Sequence, residues 1–103
     1  MTLKEIQNLV KKISERFSEK EDVFNIVVRL LEECGEVASE IRKIEKRGSK
    51  VYFGISGDKE KLAEELVDVL SAVAAIANFY DLELEEETDK IEARIKETLK
   101  IND

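Results

Sequence analysis

The stretch Asp22–Gly48, DVFNIVVRLLEECGEVASEIRKIEKRG, decides the fold. Its residues Val23, Val27, Leu30, Cys34, Val37, Ile41 and Ile44 recur at intervals of four and three, the spacing of an apolar stripe along an α-helix. This spacing predicts a helix from about Asp22 to Arg47. Gly48 is expected at its C′ position, with Lys43, Lys46 and Arg47 in the last turns, where cations complement the helix dipole. Glu33 and Glu36 lie inside this helix, three residues apart and therefore on one face, with Cβ atoms about 5–6 Å apart.

A second stretch answers the first. KEKLAEELVDVLSAVAAIANF, from Lys59 to Phe79, carries an apolar stripe of Leu62, Leu66, Val69, Val73, Ile76 and, just beyond it, Tyr80. Asp58 is expected to cap it. Val67 to Ala77 is apolar on more than one side, which predicts a central helix or one at a subunit interface. Glu65 and Asp68 again stand three apart. Each of the four acids immediately precedes a residue of its stripe, which puts it about 100° off the expected seam, at the edge of the core. A short connection makes the two helices antiparallel neighbours. Glu36 then falls level with Glu65, and Glu33 with Asp68. Carboxylates so gathered are costly to hold together without a positive charge between them, and a divalent cation with oxygen ligands is the group that fits. The competing reading is ordinary: Glu-x-x-Glu in an acid-rich helix commonly marks a solvated face.

Two further helices flank this hairpin. Leu3, Ile6, Val10, Ile13 and Phe17 predict a first helix from about Leu3 to Phe17, with Thr2 and Glu5 forming a capping box. Ser18 to Glu21 reads as a polar break. Asp81 is expected to cap a last helix that runs to about Leu99 on Leu84, Ile91, Ile95 and Leu99. The one extended loop is Gly48 to Asp58, whose Val51, Tyr52, Phe53 and Ile55 are apolar enough to lie over a core edge or a partner subunit. Glu32, Glu40 and Glu64 read as surface acids and Cys34 as a small core residue. Gly35, which costs roughly 1 kcal/mol in a helix interior relative to alanine, reads as a place of close approach. The expected architecture is all-α: one domain over residues 1–103, a four-helix antiparallel bundle whose small core is completed by oligomerisation.

Composition narrows the function. The net charge of -7 speaks against nucleic acid as the main partner. No apolar run approaches the roughly 20 residues of a membrane span, the N-terminus has no signal-peptide pattern, and a single cysteine fits a reducing, cytoplasmic setting. The absence of histidine removes most zinc sites, Ser-His and Cys-His catalysis, and the di-iron bundles built on Glu-x-x-His. This narrows the metal of an oxygen-only cluster toward Mg²⁺ or Mn²⁺.

EECGEVASEI followed by EELVDVLSAVAAIA closely resembles the MazG-like all-α nucleoside triphosphate pyrophosphohydrolases, whose hallmark is Glu-x-x-Glu and, after a variable gap, Glu-x-x-Asp. The resemblance extends from about Phe17 to Arg94. It implies Mg²⁺-dependent cleavage of a (d)NTP to (d)NMP and pyrophosphate by a homodimer or homotetramer, with Glu33, Glu36, Glu65 and Asp68 as metal ligands. It also implies that Lys90 and Arg94, four apart on the last helix, serve the phosphates, with Arg94 where asparagine is common, and that Phe17 contacts the base. Lys43 and Lys46, beyond the first acidic pair, are further phosphate candidates, with a dipole-complementing surface role as the plainer reading of both. House-cleaning and nucleotide-pool control are both compatible roles. The sister activities on this fold, phosphoribosyl-ATP pyrophosphatase and dimeric dUTPase, are alternatives, as is a non-enzymatic helical dimerisation module.

Overall fold

The computed structural model describes residues 1–17 and 22–102, apart from the side chain of Val51; the polar break expected at Ser18 to Glu21 lies outside the described residues. The chain runs α1 (Leu3–Arg16), α2 (Val23–Ile44), the single turn α3 (Ser49–Tyr52), α4 (Lys59–Phe79) and α5 (Leu84–Leu99), with no strand among the described residues. The four long helices and their order follow the apolar periodicities, and α3 adds a helical turn within the expected loop.

Helix α4 is the hub. Helix α2 packs along it most extensively, α1 packs against it less, and α5 folds back on α1. Extents of 47 × 46 × 23 Å describe a flat, open assembly of helices. The α2–α4 hairpin is antiparallel: Asp58, at the start of α4, bonds Glu40 near the end of α2, while Ile26 and Ala75 face one cleft at the opposite end. Among the described residues the buried apolar side chains are Ile26, Ala72, Ala74, Ala75 and Ala77. One isoleucine and four alanines are a thin core. The alanines let α2 and α1 approach α4 closely, but they remove little apolar surface from water.

Cap chemistry sets the helix ends. Thr2 and Glu5 form the expected capping box, and the carboxylates of Asp22 and Asp58 accept from Phe24 N–H and Glu60 N–H. Two expected ends are displaced. Helix α2 stops at Ile44, because Lys46 adopts a left-handed conformation (φ 56°) and the Arg47 N–H donates to the Arg42 carbonyl at 2.8 Å. That closure is a Schellman motif with Lys46 at C′. Gly48 follows it, also at positive φ, against the Arg42 guanidinium. Asp81 plays the same part after α4: it is left-handed (φ 55°), and Leu82 N–H donates to the Ala77 carbonyl. It therefore ends α4 and does not cap α5.

The cap of α5 comes from another helix. Glu83 makes no side-chain cap bond, and the Leu84 N–H instead donates to Gln7 Oε1 at 2.9 Å. Gln7 Nε2 donates to Asn78 Oδ1 and to the Leu82 carbonyl, and Asn78 Nδ2 donates back to the Gln7 carbonyl. This part-buried amide network, centred on the buried Gln7, ties α1 to the α4–α5 turn. An apolar residue at position 7 would strand several of those groups without partners, each a real cost away from water.

The phase of the seams differs from expectation. On α2 the protected face is Val23, Ile26, Leu30, Glu33, Val37, Glu40 and Ile44; Val27, Cys34 and Ile41 are exposed. On α4 the protected face includes Leu62, Glu65, Val69, Ala72 and Ile76, whereas Leu66, Val73 and Tyr80 are exposed. On α1, Ile13 and Phe17 face outward and Gln7 is the buried residue. The apolar arcs of α2 and α4 are broad enough to hold two adjacent stripes, and the chain itself covers only one of them. Cys34 is accordingly a surface residue and not a core one. Gly35 meets no close approach: a Cβ there would find nothing within 4 Å. Tyr52 and Phe53 stand well out from the chain instead of covering a core edge, and Ile55 is also exposed.

Candidate metal centre

The seam shift changes what the acids are. Glu65 is in the seam and buried, Glu33 is partly buried beside it, and Glu36 reaches in from one turn further along α2. Each of the three offers a carboxylate oxygen within 4.8 Å of the others. Oε2 of Glu33 and Oε2 of Glu65 are both buried without a hydrogen-bond partner. Buried carboxylate oxygens are ordinarily paired, so these two mark a place for a donor or a cation. Asp68, one turn after Glu65, is exposed and lies outside this three-acid group.

Electrostatics describes the same crowding. Glu36 is pushed up to about 7, first by its hydrogen bond to Glu65 and then by the negative charges of Glu33 and Glu65. Glu65 is held below the usual carboxylate range, by the Glu36 hydrogen bond first and by Lys61 as well. Without a cation, a proton shared between Glu36 and Glu65 keeps the two carboxylates together. Oxygen-only donors at this spacing suit a hard divalent cation, which would take the place of that proton.

Sequence reasoning missed two members of this neighbourhood. Lys61 stands one turn before Glu65 and reaches it at 3.2 Å, with its own side chain about half exposed. Lysine four residues before glutamate is a frequent helix-surface pair, so its spacing alone carried no special signal. Glu40, read as a surface acid, is 4% exposed. It accepts from Asp58 N–H at 2.8 Å and pairs with Lys43 Nζ at 2.7 Å, and these bonds, that of Lys43 first, hold it below the usual carboxylate range. Its place seven residues after Glu33, on the same helical face, was the available clue. Glu32 and Glu64 are exposed as expected.

The other expected site residues stand elsewhere in the single chain. Lys43 is engaged by Glu40. Lys90 is on α5, exposed and 3.4 Å from Glu87 of the same helix, and Arg94 is exposed one turn further on. Phe17 is exposed at the end of α1. None of these last three is on the two helices that carry the acids.

Residues 21–99 match the MazG nucleotide pyrophosphohydrolase domain, a span that contains the entire acidic hairpin and α5. The chain belongs to the MazG nucleotide pyrophosphohydrolase family. This MazG domain is also 36% identical over 93 residues to the Bacillus subtilis (strain 168) protein YpjD, itself uncharacterised, covering 87% of this chain and 79% of that protein. No solved structure matches the chain. Within the family frame, the three-acid group is a cluster able to hold a divalent metal ion. Among the described residues, no helix is long and apolar enough to cross a membrane.

Proposed function

We propose that this MazG domain hydrolyses a nucleoside triphosphate to the monophosphate and pyrophosphate with Mg²⁺, or Mn²⁺ in its place, held by Glu33, Glu36 and Glu65 and joined by Asp68. The observation that carries this reading is the pair of buried, unpartnered carboxylate oxygens on Glu33 and Glu65 inside a three-acid group. A structural acidic face would leave such oxygens in water. A bound divalent cation would neutralise the triphosphate and lower the pKa of the attacking water. The protein's part is to hold carboxylates of fixed geometry on two rigid helices and to set the cationic Lys61 beside them. Water adds to the α-phosphorus, the bond to the bridging oxygen breaks, and pyrophosphate leaves.

The catalytic unit in this reading is a homodimer or homotetramer. Phe24, Val28 and Leu31 of α2 and Val67 and Leu70 of α4 are exposed, and Leu31 retains 65% of its accessible surface. A helical domain with so few buried apolar residues gains most by covering these faces with a second copy. A partner would also be the means to bring Lys90, Arg94 or Phe17 toward the acids. Sedimentation as a monomer at micromolar concentration would remove this part of the proposal.

Purified protein incubated with Mg²⁺ and a panel of canonical and modified (d)NTPs, dUTP and phosphoribosyl-ATP included, is expected to yield a monophosphate and pyrophosphate from at least one of them. The products are read by ion-exchange chromatography and a pyrophosphate-specific assay. Turnover of no nucleotide, or release of orthophosphate alone, would overturn the proposed reaction.

A further inference from the structure

We infer that Glu40 is the positioning residue of the acidic centre: its clamp on the start of α4 sets the register in which Glu65 meets Glu33 and Glu36. The inference rests on the metal-binding reading of those three acids. Glu40 lies on the face of α2 that carries Glu33, four residues beyond Glu36. It is buried, yet it is not one of the three acids of the cluster. Its Oε1 accepts from the backbone N–H of Asp58, the N-cap of α4, and its Oε2 takes the Lys43 ammonium. The clamped amide stands two turns before Glu65 on the same helix, about 10 Å along its axis.

The closed end of the hairpin is tied at a second point. Gly57 lies directly on α2: a Cβ there would stand 2.4 Å from the Ile44 backbone nitrogen and 2.8 Å from its Cα. Only glycine permits that approach. The opposite end of α4 presents Ala72, Ala74, Ala75 and Ala77, small side chains that offer few knobs to fix an axial position. A shift of one residue along α4 moves Glu65 by about 1.5 Å and turns it by about 100°. That displacement is enough to take it out of a group whose oxygens lie within 4.8 Å of one another. The Glu40–Asp58 bond and the Gly57–Ile44 contact fix that register at the closed end of the hairpin. Lys61 also acts on both Glu40 and Glu65, so the clamp and the cluster share one field.

The test compares Glu40→Ala, Glu40→Gln and Gly57→Ala with the parent protein. Mn²⁺ affinity is measured by electron paramagnetic resonance, and the Gly57–Ile44 contact by nuclear Overhauser effects in the metal-free state. Glutamine keeps an oxygen for the Asp58 amide, so Glu40→Gln is expected to retain the contact and to bind Mn²⁺ within about threefold of the parent. Glu40→Ala and Gly57→Ala, still helical by circular dichroism, are expected to lose the contact and bind at least about tenfold more weakly, the range of lost outer-shell support around a metal. Unchanged affinity in Glu40→Ala, or an equal loss in Glu40→Gln, overturns the inference. A parent protein that binds no Mn²⁺ defeats the metal reading instead, and the register clamp is then decided by the nuclear Overhauser contact alone: lost in Glu40→Ala it stands, kept it falls.

Discussion

Glu36→Gln is expected to lower Mn²⁺ affinity, and Mg²⁺-dependent nucleotide hydrolysis with it, at least about a hundredfold. Loss of an outer-shell partner already costs about 10–100-fold, and Glu36 is proposed to contact the ion itself. The same substitution should not weaken the metal-free fold. The proton that Glu36 holds up to about 7 shows that its charged form is disfavoured beside Glu65 and Glu33. An amide in its place would keep the shape, donate a hydrogen bond to Glu65 and remove one negative charge. The metal-free variant is therefore expected to melt at or above the parent temperature at pH 8, as at other functional sites where repulsion is tolerated for binding. Calorimetric titration and thermal melts followed by circular dichroism read the two effects separately. Retained Mn²⁺ binding would exclude Glu36 from the centre, and a large fall in melting temperature would mean that it serves the fold.

The second large effect is in pH. A divalent ion entering the cluster must displace the proton that Glu36 shares with Glu65, so metal binding should release close to one proton at about pH 6, about half a proton at about pH 7 and little at about pH 8. Mn²⁺ affinity is expected to fall about tenfold per pH unit below about 7 and to level off above it. Glu36→Gln should abolish this slope in whatever binding remains. Titrations in buffers of different ionisation enthalpy count the proton directly. Affinity that does not vary between pH 6 and pH 8 would contradict the coupling.

Stability without metal should run in the opposite direction to affinity. Glu36 is raised from an ordinary 4.5 to about 7, so the folded chain binds its proton more tightly than the unfolded chain. Its contribution is fully present below about 4.5 and is lost as pH rises through about 7. Glu65, which is lowered, contributes in the other sense: its share is present above the unfolded value and is lost in more acidic solution. Between pH 6 and pH 8 the Glu36 contribution is being lost, and the metal-free melting temperature should decline across that range. Saturating Mg²⁺ should restore it, because a ligand bound only by the folded state stabilises it.

The legible parts of this chain were those encoded by local chemistry. The four long helices follow from period-3.6 apolar spacing, the first cap from Thr2 and Glu5, and the family from the two acidic motifs and their neighbours. The pairing of Glu36 with Glu65 could be anticipated from the antiparallel hairpin alone. Less legible were features that depend on which side of a helix meets another. Gln7 sits between Ile6 and Asn8 with nothing local to announce that it caps a helix begun at Leu84. Asp81 and Lys46 hold left-handed positions that glycine or asparagine would have advertised.

By itself the sequence determined the helices, the face on which each pair of acids stands and the absence of any nitrogen or sulfur ligand set suited to another metal. These are properties of spacing and residue type, and they hold whatever the helices pack against. Tertiary structure alone decided the phase. On α2, Ile26, Leu30, Val37 and Ile44 form one apolar stripe, and Val27, Leu31, Cys34 and Ile41 form another beside it. Either can serve as a seam, because burial rewards apolar area without regard to position. Packing against α4 selected the first. That choice carried Glu33, Glu40 and Glu65 inward and turned a row of acids on two helix faces into a centre with two buried carboxylate oxygens unpaired.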